Sequence, residues 1–149
     1  MRGEDMKLKV YLDMCCYNRP FDDQAQILIK LEARAILHIQ RAILAGSIEL
    51  VWSFMLSHEN RNNPFIDRRQ AIAPWGSIAE SVTNPTKLVY NNSLFIMDLG
   101  IKQKDAIHIA CAIDAGVDYF ITTDRKLLNK SIAGIEIINP IDFLRRYEL

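Results

Sequence analysis

Short β-prone runs alternate along this chain with longer stretches whose apolar residues recur every three or four positions. Leu8-Lys9-Val10-Tyr11-Leu12 is an apolar run ending at Asp13, which predicts a buried strand. The turn-rich segment Asn18-Arg19-Pro20-Phe21-Asp22-Asp23 follows, and Asp22 or Asp23 is suited to cap a helix over about residues 24–45. Within that helix Leu28, Leu31, Ala35, Ile39 and Ala42 step by three and four, which predicts one buried face; Gly46 ends it. Ile48-Glu49-Leu50-Val51-Trp52 predicts a second strand, Ser53 a cap, and residues 54–61 a helix carrying Glu59. Asn62-Asn63-Pro64 breaks the pattern. Further helices are predicted near 65–74 and 86–99, closed by Pro74-Trp75-Gly76 and by Gly100. Another runs from Lys104-Asp105-Ala106 to Ala115, with Gly116 just past its end. Asp118-Tyr119-Phe120-Ile121-Thr122 and Ile135-Glu136-Ile137-Ile138 are two more strands, separated by a turn at Thr123-Asp124 and a short helix through Leu128. Asn139-Pro140 opens a closing helix to Tyr147.

Strands alternating with helices predict an α/β fold: a mostly parallel sheet covered on both faces. With 149 residues, half of them hydrophobic, and no repeat, low-complexity stretch or linker, the expectation is one domain over 1–149. Met6 is a second candidate start, which would make residues 1–5 a dispensable and disordered extension.

Charge narrows little. Lys plus Arg equals Asp plus Glu at 18 each, so the formal net charge is zero. A neutral chain neither implies nor excludes a nucleic-acid partner, since a local basic patch suffices. Cys15, Cys16 and Cys111 are an odd set without CxxC spacing, which argues against a zinc site or a disulfide framework. Cys15 and Cys16 read as small apolar residues beside a core strand. Reduced thiols and the absence of a signal-peptide pattern make a cytoplasmic location the expectation. No stretch approaches the roughly 20 apolar residues of a membrane helix.

Four acids change the picture. Asp13, Glu59, Asp105 and Asp124 each fall near a predicted strand end or helix start, within mostly apolar sequence. In open α/β sheets ligands bind beyond the carboxyl ends of the strands, near the topological switch point. Asp13 follows the first strand directly, and Asp124 follows the 118–122 strand by two residues. Glu59 reaches back toward the same rim from the helix after the second strand. Asp105, in the first turn of its helix, joins them if that helix runs back along the sheet. Carboxylates held this closely repel, and a hard divalent cation, Mg²⁺ or Mn²⁺, relieves the conflict. Such a site polarises a phosphoryl oxygen and lowers the pKa of a bound water, which points to phosphodiester hydrolysis.

Each acid also has an ordinary reading. Asp105 and Asp124 fit helix N-caps, and Glu59 fits a solvated helix face. Asp13 resists this reading, because Met14-Cys15-Cys16 suggests no helix in need of a cap. His108, one turn from Asp105, faces the site or lies buried and hydrogen-bonded. His58-Glu59 begins like an HExxH zinc motif, but position 62 is Asn. Asp22, Asp23, Asp98, Asp114 and Asp118 read as cap, loop or surface acids. Neither GxGxxG nor a Walker A loop is present, which disfavours nucleotide-cofactor folds. Arg19, Arg61 and Arg125 lie nearest in sequence to the rim and are candidate phosphate contacts, or ordinary surface charge. Arg68, Arg69, Lys126 and Lys130 belong to the same basic set.

These motifs resemble those of the PIN-domain family. The resemblance rests on Asp13 after a hydrophobic strand, Glu59 after strand and helix, Lys104-Asp105-Ala106-Ile107-His108-Ile109-Ala110, and Phe120-Ile121-Thr122-Thr123-Asp124-Arg125-Lys126-Leu127-Leu128. Leu12-Asp13 with Asn18-Arg19-Pro20-Phe21-Asp22-Asp23 is similar to one PIN subfamily in particular. The resemblance covers nearly the whole chain and implies a three-layer α/β/α sandwich with Mg²⁺- or Mn²⁺-dependent ribonuclease activity. It further implies a VapC-like toxin, cutting RNA and silenced by a small antitoxin, with homodimerisation common among its relatives. Exposed apolar helix surface within 65–100 is where a dimer contact is expected. Asp13, Glu59, Asp105 and Asp124 correspond to the family's acidic quartet, and Thr122 to the hydroxyl residue often found two before the last acid. Met14-Cys15-Cys16 departs from the pattern, since relatives carry Ser or Thr and then Asn there. The leading expectation is therefore an RNA-cutting endonuclease. The alternatives are a catalytically silent PIN-like module that binds RNA or protein, and a DNA nuclease.

Overall fold

The computed structural model describes residues 7–147. The expected extension at residues 1–5 lies outside them. Among the described residues, β1 (Leu8–Leu12), β2 (Ile48–Ser53), β3 (Ser81–Thr83), β4 (Tyr119–Ile121) and β5 (Glu136–Ile138) form one sheet in the order β3-β2-β1-β4-β5. Every pairing is parallel, so all five carboxyl ends lie on one rim. Val10 pairs with Leu50 on one side and Tyr119 on the other, which makes β1 the central strand. The chain leaves β1 toward β2 and later returns on its other side as β4. That reversal is the switch point at which α/β sheets bind ligands.

The helices are α1 (Met14–Asn18), α2 (Ile27–Leu44), α3 (Phe54–Arg61), α4 (Ile66–Ile72), α5 (Trp75–Ile78), α6 (Lys87–Met97), α7 (Gln103–Asp114), α8 (Arg125–Leu128) and α9 (Pro140–Arg146). A 3-10 turn, Arg19–Phe21, joins α1 to the loop before α2. Helix α2 packs with α9, and α6 with α7. By the right-handed rule for parallel crossovers, α2, between β1 and β2, and α6–α7, between β3 and β4, belong on opposite faces of the sheet. The fold is thus the expected α/β architecture with a parallel sheet flanked by helices. Because β1 is covered on both faces, its last three residues, Val10, Tyr11 and Leu12, are all fully buried. Leu12, Ile36, Leu50, Ile109 and Ile121 are likewise fully buried, each burial stabilising by about 1.5–3 kcal/mol. Gly46, with φ of 80°, ends α2 as predicted: its N–H reaches Ile43 O at 3.0 Å and the Ser47 N–H reaches Ala42 O at 2.9 Å.

Four expectations need correction. Met14-Cys15-Cys16 does form a helix, α1, and Asp13 is its N-cap, accepting the Met14 N–H at 2.9 Å. Cys15 and Cys16 therefore lie on a helix, not on a strand. Helix α2 begins at Ile27, because Asp22 is engaged by Arg19 and Arg68 while Asp23 accepts the Ala25 N–H at 3.0 Å. Leu28 and Leu31, assigned above to its buried face, are exposed; the buried face begins at Glu32 and Ala33. Finally, β3 is an unanticipated fifth strand at the sheet edge.

Candidate active site at the carboxyl rim

Asp13 leaves the central strand at the rim and is only 7% exposed. Its backbone N–H bonds Ile121 O across β4 at 2.9 Å, which fixes the residue where β1 and β4 end. Its carboxylate accepts the Met14 N–H at 2.9 Å and the Thr122 hydroxyl at 2.8 Å. The Cys15 thiol approaches the same oxygen as Thr122 at 3.5 Å. Burial pushes the Asp13 carboxyl above its ordinary value, and the charge of Glu59 adds to the rise. The His108 ring and the Thr122 hydroxyl oppose it.

Thr122 comes one residue after β4 and is fully buried. Its hydroxyl also accepts the Asp124 N–H at 3.1 Å, so a single side chain joins the segments bearing Asp13 and Asp124. Asp124 caps α8 through the Lys126 N–H at 2.9 Å, so its cap reading and its rim position hold together. Asp105 is not a cap: α7 starts at Gln103, and Lys102 precedes it without a side-chain cap bond. Asp105 stands half-buried in the first turn instead, and its carboxyl is raised by burial and by the charges of Asp13, Asp124 and Glu59. Asp105 thus feels the charges of the other three acids, and Asp13 that of Glu59. Glu59, from α3, is held by a hydrogen bond from His108 Nε2 to its Oε1. Helix α3 is set directly onto the end of β2 by Ser53, whose hydroxyl accepts the Leu56 N–H at 3.2 Å.

Carboxylate oxygens suit a hard divalent cation, and mutual repulsion at Asp105 is the condition such an ion relieves. The arrangement is not a closed cage: among the described residues, no group of three or more His, Cys, Asp or Glu is arranged to hold a metal ion.

The candidate basic residues divide. Arg19 borders the rim, but its guanidinium is engaged by Asp22 at 3.1 Å, the Thr123 hydroxyl at 2.9 Å and buried Glu32 at 3.4 Å. Arg61 lines a separate cavity with Trp52, Ser57 and Gly76. Arg125 is exposed next to Asp124. A cavity of about 470 Å³ opens beside Glu59, lined by Cys15, Asn18, Arg19, Phe65, Arg68 and Lys104 among others. Another, of about 600 Å³, is bordered by Asp105, Asp124, Lys102, Lys126 and Lys130. Phe65 is 56% exposed, with the Arg68 guanidinium 4.5 Å from its ring centre. Cys15, which reads in sequence as packing, and Phe65 carry no sequence signal of these contacts. His108 is buried and hydrogen-bonded, the second of its two sequence readings.

None of the described helices is long and apolar enough to cross a membrane. No protein-family model matches the sequence, and neither does any curated protein. Among solved structures the chain is similar to one from the crystal structure of VapBC2 from Rickettsia felis bound to a DNA fragment from their promoter. The TM-score is 0.59 at 12% identity, covering 89% of this chain and 98% of that one. At that identity the likeness is one of fold.

Proposed function

We propose that this chain is a Mg²⁺- or Mn²⁺-dependent endoribonuclease that hydrolyses RNA phosphodiester bonds. What supports the reading is that Asp13 and Asp124 follow neighbouring strands at the carboxyl rim, and that Asp105 is raised by burial and by the charges of Asp13, Asp124 and Glu59. Those four carboxylates would hold the ion, which when bound supplies charge neutralisation and Lewis acidity toward the phosphodiester. The protein's own part is positioning. Thr122 and the Met14 N–H fix Asp13, α3 presents Glu59, and the two cavities flanking the acids give a strand a path past them. Lys102, Lys104, Lys126 and Arg68 line that path and can meet backbone phosphates, while Phe65 offers a face for a base.

The fold neighbour's membership of VapBC2 supports a toxin role with a small antitoxin protein as partner. Helix α6 exposes Leu88, Tyr90, Leu94 and Phe95, which supports a homodimer through that face. Three free cysteines suit a cytoplasmic setting.

The silent-module reading draws on one observation: among the described residues, no group of three or more His, Cys, Asp or Glu is arranged to hold an ion. A mixed RNA pool and a matched DNA pool, each with Mn²⁺ and with EDTA, decide among the readings. RNA cut only in the presence of the ion is expected. No cleavage together with no Mn²⁺ bound on titration favours the module, and preferential cutting of DNA favours a DNA nuclease.

A further inference from the structure

A buried chain of hydrogen bonds runs from the sheet to Glu59. The Tyr11 hydroxyl lies 2.6 Å from Ser53 Oγ and 2.6 Å from His108 Nδ1. The other ring nitrogen of His108, Nε2, bonds Glu59 Oε1. Ser53 and Tyr11 are fully buried and His108 is 1% exposed, so these groups have no access to bulk water. They come from three elements: Tyr11 from β1, Ser53 from the end of β2, and His108 from α7. The Tyr11 ring also stacks on Phe120 at 5.3 Å and meets the His108 ring edge-on at 5.8 Å, which restrains both rings.

With the His108 ring neutral, a single direction of donation pairs every atom in this chain. An ionised Glu59 only accepts, so Nε2 donates to it. With its proton on Nε2, the ring accepts at Nδ1 from the Tyr11 O–H. Tyr11 in turn accepts from the Ser53 O–H, and Ser53 accepts from the Leu56 N–H. Both ring nitrogens of this buried histidine are thereby paired, and one of the two partners is the Glu59 carboxylate.

We propose that His108 is a positioning residue for Glu59. Its Nε2–H fixes Oε1 of a carboxylate that lines the groove. Glu59 has three rotatable bonds on a helix at the molecular surface, and nothing else among the described hydrogen bonds restrains its carboxylate. The effect on rate rests on the nuclease reading above, whereas the geometry stands without it.

Two substitutions separate positioning from packing. His108→Met fills the space without a donor or acceptor, while His108→Gln keeps an N–H for Glu59 and an oxygen for Tyr11. Steady-state RNA cleavage should show kcat about tenfold or more lower in His108→Met with KM changed little, and most of the loss recovered in His108→Gln. A His108→Met protein that melts earlier yet keeps wild-type kcat overturns the inference and leaves the nuclease reading intact. If the wild type cuts no RNA, the nuclease reading fails and the geometry is decided by ¹⁵N NMR of the wild type. Protonation at Nε2, with its resonance moving in Glu59→Gln and that of Nδ1 moving in Tyr11→Phe, is the expected result. Protonation at Nδ1 alone overturns the inference.

Discussion

Thr122 donates its hydroxyl proton to Asp13 Oδ2 at 2.8 Å. Two parallel strands end side by side here, and this bond ties the buried acid of one to the segment that follows the other. A carboxylate forced from water needs such donors, because each charge-assisted hydrogen bond contributes about 1.5–3 kcal/mol.

Thr122→Val keeps the shape and removes the donor. The Asp13 carboxyl should rise further, and single-turnover RNA cleavage should slow by about ten- to a hundredfold, the rate equivalent of that lost bond. Thr122→Ser should recover most of the rate, and the comparison of the two variants checks the prediction.

Asp105 carries a stability signature with a defined sign. Its folded carboxyl lies above the ordinary value, so the folded protein holds that proton more tightly than the unfolded chain. Below about pH 4 both states are protonated and the acid costs nothing. As pH rises from there through the folded value, stability falls, and it stays lowered above that value. Asp105→Asn removes the penalty. It should melt at a higher temperature than wild type at neutral pH, with the gap closing as pH is lowered toward 4, read by thermal melts across pH. Added Mn²⁺ should raise the melting temperature of wild type more than that of the variant.

The cavity beside Glu59 predicts how substrate binds. Phe65→Ala removes an exposed stacking face and should weaken single-stranded RNA binding by about 1–3 kcal/mol. Arg68→Ala should weaken it across sequences and flatten the dependence of log Kd on log salt by somewhat under one unit. Arg68 also bonds Asp22 at 2.9 Å, so melting temperatures are needed to separate contact loss from loosening of that loop. Fluorescence anisotropy at several salt concentrations reads both effects.

The exposed face of α6 predicts the assembly. Phe95 is 72% exposed and Leu88, one heptad before it, 59%. Light scattering on wild type should report a dimer, and Leu88→Asp with Phe95→Asp should report a monomer that still melts cooperatively. A monomeric wild type contradicts the expectation.

Strands were legible where apolar and β-branched residues run together between turns, as at β1, β2, β4 and even the edge strand β5, whereas β3 is three residues, Ser81–Thr83, with two of them exposed. Helix α1 escaped notice because five residues are too few for a periodic pattern, and its cap, Asp13, was read as chemistry alone. The cap does not compete with the proposed chemistry: a helix N-cap at the end of a central parallel strand stands at the rim where α/β sheets bind ligands. Asp22 misled in the other direction, since a good capping residue is equally good at binding Arg19 and Arg68. The rim positions of Asp13 and Asp124 were legible because each acid follows a strand, whereas those of Glu59 and Asp105 depend on the course of α3 and α7. The His108 contact to Glu59 was not legible, because it depends on α7 crossing the sheet face above Tyr11. Cys15 illustrates a further limit: a thiol between Asp13 and Thr122 is indistinguishable in sequence from a small apolar residue.

The central claim is that Asp13, Glu59, Asp105 and Asp124 work as one unit. Single-turnover cleavage of RNA with Mn²⁺ tests it most directly, using Asp13→Asn, Glu59→Gln, Asp105→Asn, Asp124→Asn and the Asp13→Asn/Asp105→Asn double variant. Each single change should cost about a hundredfold or more, and the double should be no slower than its slower parent, because residues of one catalytic unit are not additive. Folded variants that cut RNA at the wild-type rate, the double among them, would contradict the account.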